Sequence, residues 1–247
     1  MKDTRRDAAT GFTLTELLVA IGILLLLLSI LAPSLGAARE SARSAVCRAN
    51  LHVAGSGMGL YLSQNRQRFW PYMLPNTPSP GLKCYFWGTD SDPVNPSASP
   101  FLCYLESQLA CLWCPSLSWG SYVPQGAHVS QPTTTYGYNG RYLDPGLVGR
   151  TGRNVSSIPR PSQLFVLADT AMAWAPAGVT IFQNSTYLEP VSGNWVQTPT
   201  NHFRHNGLIN ALCADGRAER FGPEGWTLNS PYNLGFVGTK NDPHYEQ

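Results

Sequence analysis

From Phe12 to Leu35 the chain is almost continuously apolar: FTLTELLVAIGILLLLLSILAPSL. As a helix rising about 1.5 Å per residue this run is roughly 36 Å long, and a bilayer core needs about 20 such residues. The pattern changes at Gly36. Ala38, Ala42, Ala45, Val46, Ala49 and Val53 fall near helical spacing, with Arg39, Glu40, Arg43 and Arg48 on other faces. Together the two patterns predict one helix over 12–63. Its inner half, 12–35, crosses the membrane, and its outer half, 36–63, packs on a globular domain. Gly55, Gly57 and Gly59 weaken the outer half by about 1 kcal/mol each relative to Ala, which marks a close helix–sheet contact or a break.

Residues 64–247 read as a loop-rich β domain. Arg68–Pro100 is rich in Pro, Asn, Ser and Gly, so it is mostly loop. Trp70, Tyr72, Tyr85, Phe86 and Trp87 interleave it and pin the loops onto the core. Tyr136–Gly140 predicts a strand entering a tight Asn-Gly turn, and Pro161–Asp169 a buried strand. Leu208–Ala214 predicts a strand, Asp215-Gly216 a two-residue turn and Arg217–Phe221 the return. The fold class is therefore α+β: a long N-terminal helix packed on an antiparallel sheet. Composition adds an exclusion. With 247 residues, 13% charged and a net charge of +2, the chain lacks the concentrated basic face of a nucleic-acid binder.

Two features of the N-terminus go beyond a plain anchor. Lys2, Arg5 and Arg6 give the leader 1–11 a positive balance, which keeps it cytoplasmic and puts the domain outside. Glu16 lies inside the apolar run, where a carboxylate costs about 2.5–3.5 kcal/mol by insertion scales. Removal of the leader after Gly11 would create an α-amino group on Phe12. Glu16 of one subunit can then neutralise Phe12 of its neighbour.

Gly11–Ile21, GFTLTELLVAI, resembles the processing site of type IV prepilins and type II secretion pseudopilins. The resemblance implies a pilin-like fold, cleavage between Gly11 and Phe12 by a prepilin peptidase, and N-methylation of Phe12. It implies that Glu16 guides subunit packing and that Pro33 kinks or locally melts the helix; read from the residues alone, Pro33 can also simply end the membrane segment. The implied partners are the peptidase, other pilin or pseudopilin subunits, and an assembly platform with its ATPase. The implied location is the inner membrane, as a single-pass protein, and then a pilus or pseudopilus. Further along, Arg204-His-Asn-Gly followed by a strand and Asp215-Gly216 resembles the His-x9-Asp-Gly segment of a group of bacterial prepilin-like proteins. Those proteins also carry Tyr-Gly-x-Asn-Gly and Cys-Pro segments. Arg217 replaces the His that often follows Asp-Gly there.

Other chemistry is sparse. Cys47, Cys84, Cys103, Cys111, Cys114 and Cys213 read as structural disulfides of an extracytoplasmic domain, with free thiols or a metal site as alternatives. Cys111-x2-Cys114 has no second such pair, so no metal is expected. Asp169, Asn241 and Asp242 offer oxygens to calcium, but without an EF-hand spacing. His205 reads as a brace of the hairpin and Asp215 as a turn residue. No nucleophile–base motif is present, so the chain is not expected to be an enzyme. The leading function is a structural filament subunit, and the alternative is an anchored surface module that grips polysaccharide with its aromatic loops.

Overall fold

The structure, a computed structural model, describes residues 12–74, 83–89, 91, 94–106, 109–117, 134–146, 152–174, 181–192, 198–224 and 232–247. The leader, including Gly11, lies outside them. The chain divides into two units, 1–39 and 40–247.

In the first unit the described residues are helical from Leu14, and the large apolar side chains from Phe12 to Leu35 are exposed. From Leu14 onward they belong to helix α1, Leu14–Gln64, which is long and apolar enough to cross a membrane. Pro33 lies within α1 and does not end it. Its missing N–H leaves the Ser29 carbonyl without the usual helical donor.

In the second unit α1 buries Cys47, Leu51, Ala54, Met58, Tyr61 and Leu62. They pack against an antiparallel sheet of four strands: β4 (Tyr136–Tyr138), β5 (Phe165–Asp169), β9 (Ile209–Cys213) and β10 (Ala218–Phe221). The spatial order is β10-β9-β5-β4. β5 and β9 are buried at every position, because both faces of the sheet are covered. On one side lies α1 with the aromatic loops; on the other lie Phe203, Val237 and Tyr245. Three short strands, β1 (Met73–Leu74), β2 (Cys84–Tyr85) and β3 (Gly88–Thr89), form a small sheet of their own. The remaining short strands pair as β6 (Met172–Trp174) with β7 (Ile181–Gln183), and β8 (Asn201–His202) with β11 (Leu234–Gly235).

The glycine run is a contact and not a break. A Cβ on Gly55 would sit 2.9 Å from the Gly216 carbonyl oxygen, and one on Gly57 2.4 Å from a Leu105 methyl, whereas Gly59 has open space. Gly55→Ala should therefore lower stability by about 1–3 kcal/mol through overpacking, despite its better helix propensity. Gly59→Ala should raise it by up to about 1 kcal/mol. Thermal unfolding of the two variants checks the contrast.

Two turns differ from the sequence reading. Asn139-Gly140 does not close a hairpin; it opens the short helix α2, Gly140–Leu143. The Asn139 amide is held there by donating to the carbonyls of Phe165 and Tyr245. The connection from β9 to β10 has three residues, Ala214–Gly216, since the Cys213 N–H donates to the Arg217 carbonyl. Gly216 supplies the positive φ that such a loop uses. The aromatic expectation holds for the described loops. Trp70, Tyr72, Phe86 and Trp87 are buried, and Trp70 stacks on Phe101 at 4.0 Å and on Tyr138 at 5.0 Å.

Candidate functional site

Four elements converge behind the sheet and bring together Cys47, Cys114, Asp169 and His205. All four side chains are buried, and one ligand atom from each lies within 4.8 Å of the others. Cys47 comes from the buried face of α1. Cys114 follows a 3-10 turn, Leu109–Leu112, and its N–H donates to Thr135 Oγ1 at 2.6 Å. Asp169 is the last residue of β5, opposite Tyr136 of β4. His205 sits on a two-residue turn whose central residues, Asn206 and Gly207, both have positive φ. The His205 N–H and carbonyl exchange hydrogen bonds with Leu208, both at 3.1 Å. This is the type I′ chemistry of an Asn-Gly pair, found here and not at Asn139-Gly140.

The polar atoms face one another closely. His205 Nε2 is 3.3 Å from Cys114 Sγ and 3.2 Å from Asp169 Oδ2. Cys47 Sγ is 3.5 Å from Asp169 Oδ1 and accepts the Tyr136 hydroxyl at 3.0 Å. The other His205 nitrogen, Nδ1, meets Glu40 Oε1 at 2.6 Å, and Ser116 Oγ donates to the same oxygen at 2.5 Å. Asp169 Oδ2 also accepts the Asn210 N–H at 2.7 Å. Arg204 lies alongside, with Nε 3.7 Å from Asp169 Oδ1.

These contacts reset the charges. Burial alone would raise the Asp169 carboxyl, but Arg204, His205 and the Asn210 N–H hold it below its usual value. Burial opposes charge on His205, yet Asp169 and Cys114 push its pKa up to about 10. Burial also opposes the Cys114 thiolate, but Cys47, Arg204 and His205 bring its pKa down to about 6. Burial pushes the Cys47 thiol far up. Nε2 thus faces a sulfur and a carboxylate at once, at 3.3 and 3.2 Å. Cys114 is only 1% exposed, which bars it from acting as a nucleophile on a substrate.

At the N-terminus the chemistry is local. The Thr13 N–H and hydroxyl donate to Glu16 Oε2 at 2.9 and 2.7 Å, and the Glu16 N–H returns a 3.3 Å bond to Thr13 Oγ1. Thr-x-x-Glu is a capping box, and it fixes the first turn of α1. Residues 6–32, which contain this box, match the family described as the prokaryotic N-terminal methylation motif. The N-terminal segment thus carries a prepilin-type methylation motif. Comparison with curated proteins and with solved structures gives no match.

The prepilin-type motif implies processing by a peptidase and assembly with other pilin subunits. Together with the apolar α1 it supports a single-pass inner-membrane protein. Of the predicted site residues, Phe12 lies just before α1, Glu16 is in its first turn and Pro33 is inside it. His205 enters the buried cluster, whereas Asp215 and Gly216 do not. Asp215 is an exposed turn residue whose carboxylate accepts from Arg217 Nε at 2.7 Å.

The six cysteines, expected as disulfides, are free thiols. Cys47 and Cys114 turn their sulfurs to Tyr136 and His205 in place of bonding each other. The three oxygens suggested for calcium serve separately: Asp169 in the cluster, Asp242 in an ion pair with Arg160, and Asn241 on the backbone of Ser192. Sequence reasoning missed Cys47, Asp169 and Glu40 as partners of His205. The available signal was an Asp ending an otherwise apolar strand, FVLAD.

Proposed function

We propose that this chain is a subunit of a pilus or pseudopilus filament. The leader is cut between Gly11 and Phe12, and Phe12 is N-methylated. The domain from Glu40 onward stays outside the cytoplasm. An assembly platform and its ATPase extract the subunit, and the apolar half of α1 packs among its neighbours. The observation that carries this reading is Glu16, the only acid in the run Phe12–Leu35, inside a matched methylation motif. Before assembly Thr13 satisfies the carboxylate. In the filament the Phe12 amine of the next subunit supplies the opposite charge.

The capping box makes the test discriminating. Gln can replace Glu in the box but cannot pair with an amine as an ion. Glu16→Gln should be cleaved normally, yet its filament fraction should fall by about tenfold, the factor that corresponds to about 1.4 kcal/mol of lost pairing. Immunoblots of sheared filaments against membranes measure this. Wild-type incorporation of Glu16→Gln would refute the charge pair.

The burial of the loop aromatics speaks against the polysaccharide-gripping alternative. Trp70, Phe86 and Trp87 are at most 4% exposed and offer no flat stacking surface to a sugar.

A further inference from the structure

We propose that Cys47, Cys114, Asp169 and His205 hold one zinc ion that staples the outer half of α1 to the sheet. Bonds of about 2.3 Å to sulfur and 2.0–2.2 Å to nitrogen or oxygen, at tetrahedral angles, place neighbouring donor atoms roughly 3.3–3.8 Å apart. The recorded separations are 3.3 Å (Cys114 Sγ to His205 Nε2), 3.7 Å (Cys47 Sγ to Asp169 Oδ2) and 3.2 Å (His205 Nε2 to Asp169 Oδ2). The donor set is soft and mixed: two thiolates, one imidazole and one carboxylate. That chemistry selects zinc over calcium or magnesium, which take oxygen ligands.

The surroundings are built for a cation. His205 gives its other nitrogen to Glu40 at 2.6 Å, which fixes the ring so that Nε2 presents its lone pair to the cluster. The Tyr136 hydroxyl donates to Cys47 Sγ, and the Asn210 N–H donates to Asp169. Cys47 and Asp169 thus each have a donor that holds them in place.

Charge closes as well. Two thiolates and Asp169 against a divalent ion leave one negative charge. Arg204, whose side chain is 4% exposed and whose Nε and Nη1 have no hydrogen-bond partner, supplies one positive charge beside it. A disulfide between Cys47 and Cys114 would instead leave Asp169, His205 and Arg204 packed around a neutral bond. Four protein ligands fill a tetrahedral sphere, so the ion is structural and has no open position for a substrate.

The site escapes a search for paired CxxC motifs because it uses only Cys114 of the Cys111-x2-Cys114 pair. Cys111 is half-buried outside the cluster, and its thiol is pushed up by burial. Binding displaces protons from the ligand atoms, so the site fills more readily as pH rises.

The test uses the full chain in detergent, purified without chelator. Elemental analysis should find one zinc per chain. Cobalt(II) exchange should give thiolate charge-transfer absorption and the strong visible bands of a tetrahedral ion. Cys103→Ser, at an exposed thiol outside the cluster, should keep the metal. Cys114→Ser and His205→Ala should lose it. Those two variants can fail to fold, so the wild type is also stripped with a tight chelator. Its melting temperature should fall, and it should recover with zinc but not with magnesium. Folded wild-type protein that carries no metal and takes up neither zinc nor cobalt would overturn the proposal. So would iron in place of zinc, or a Cys47–Cys114 disulfide in non-reducing peptide maps.

Discussion

Gly11→Val leaves the leader in place. The mutant protein is expected to migrate as one slower band on an immunoblot, heavier than wild type by the mass of residues 1–11. The proposed scissile bond joins Gly11 to Phe12, and the residue before it has no Cβ, so the backbone can lie close against a protease cleft. A β-branched side chain there blocks that approach and stiffens the backbone. The effect is all-or-none because processing comes before assembly. N-terminal mass spectrometry should find N-methyl-phenylalanine at Phe12 in the wild type and an intact leader in the mutant. A mutant that begins at Phe12 would contradict the cleavage assignment.

Asp169→Ala should unfold much of the domain. Asp169 is fully buried and is the shared counter-charge of Arg204 and His205. Removing it takes away the counter-charge of the buried Arg204 side chain and one of the two carboxylates that face His205, and leaves the Asn210 N–H without its acceptor. Breaking one side of such a cluster costs about 3–5 kcal/mol, which is a large share of the roughly 5–15 kcal/mol by which domains are stable. Asp215→Ala, which removes an exposed turn carboxylate, should cost less than about 1 kcal/mol. Urea unfolding followed by tryptophan fluorescence separates the two, since Trp70 is buried in the core under α1. Equal midpoints for the two variants would show that the cluster does not brace the domain.

The contrast between these two aspartates shows where sequence reasoning stops. His205 and Asp215 stand in one recognisable segment, His-x9-Asp-Gly, yet they have separate roles. The Asn-Gly turn aims His205 inward, and the strand β9 then carries the chain away before Asp215 is reached. Asp169, which does meet His205, lies in another segment whose pattern shows only a buried strand with a polar end. The glycine run was ambiguous for a similar reason. Spacing located Gly55 and Gly57 on a helix, but only the backbone of Gly216 and the Leu105 side chain show what presses on them. Asn139-Gly140 carries turn chemistry in its sequence, but the carbonyls of Phe165 and Tyr245 capture its amide and let a helix begin.

The sequence alone determined the N-terminal helix: the long apolar run, the single acid within it and the methylation motif lie close together in the chain. Interactions between near neighbours in the chain can be read from spacing, because helix geometry fixes which residues meet. The sequence also determined that an α+β domain follows. The cluster of Cys47, Cys114, Asp169 and His205 was decided only by the tertiary structure. Its members come from a helix, a loop, a strand end and a turn, and no local periodicity relates them. Packing α1 against the sheet makes them neighbours, and burial then forces their charges to be resolved among themselves.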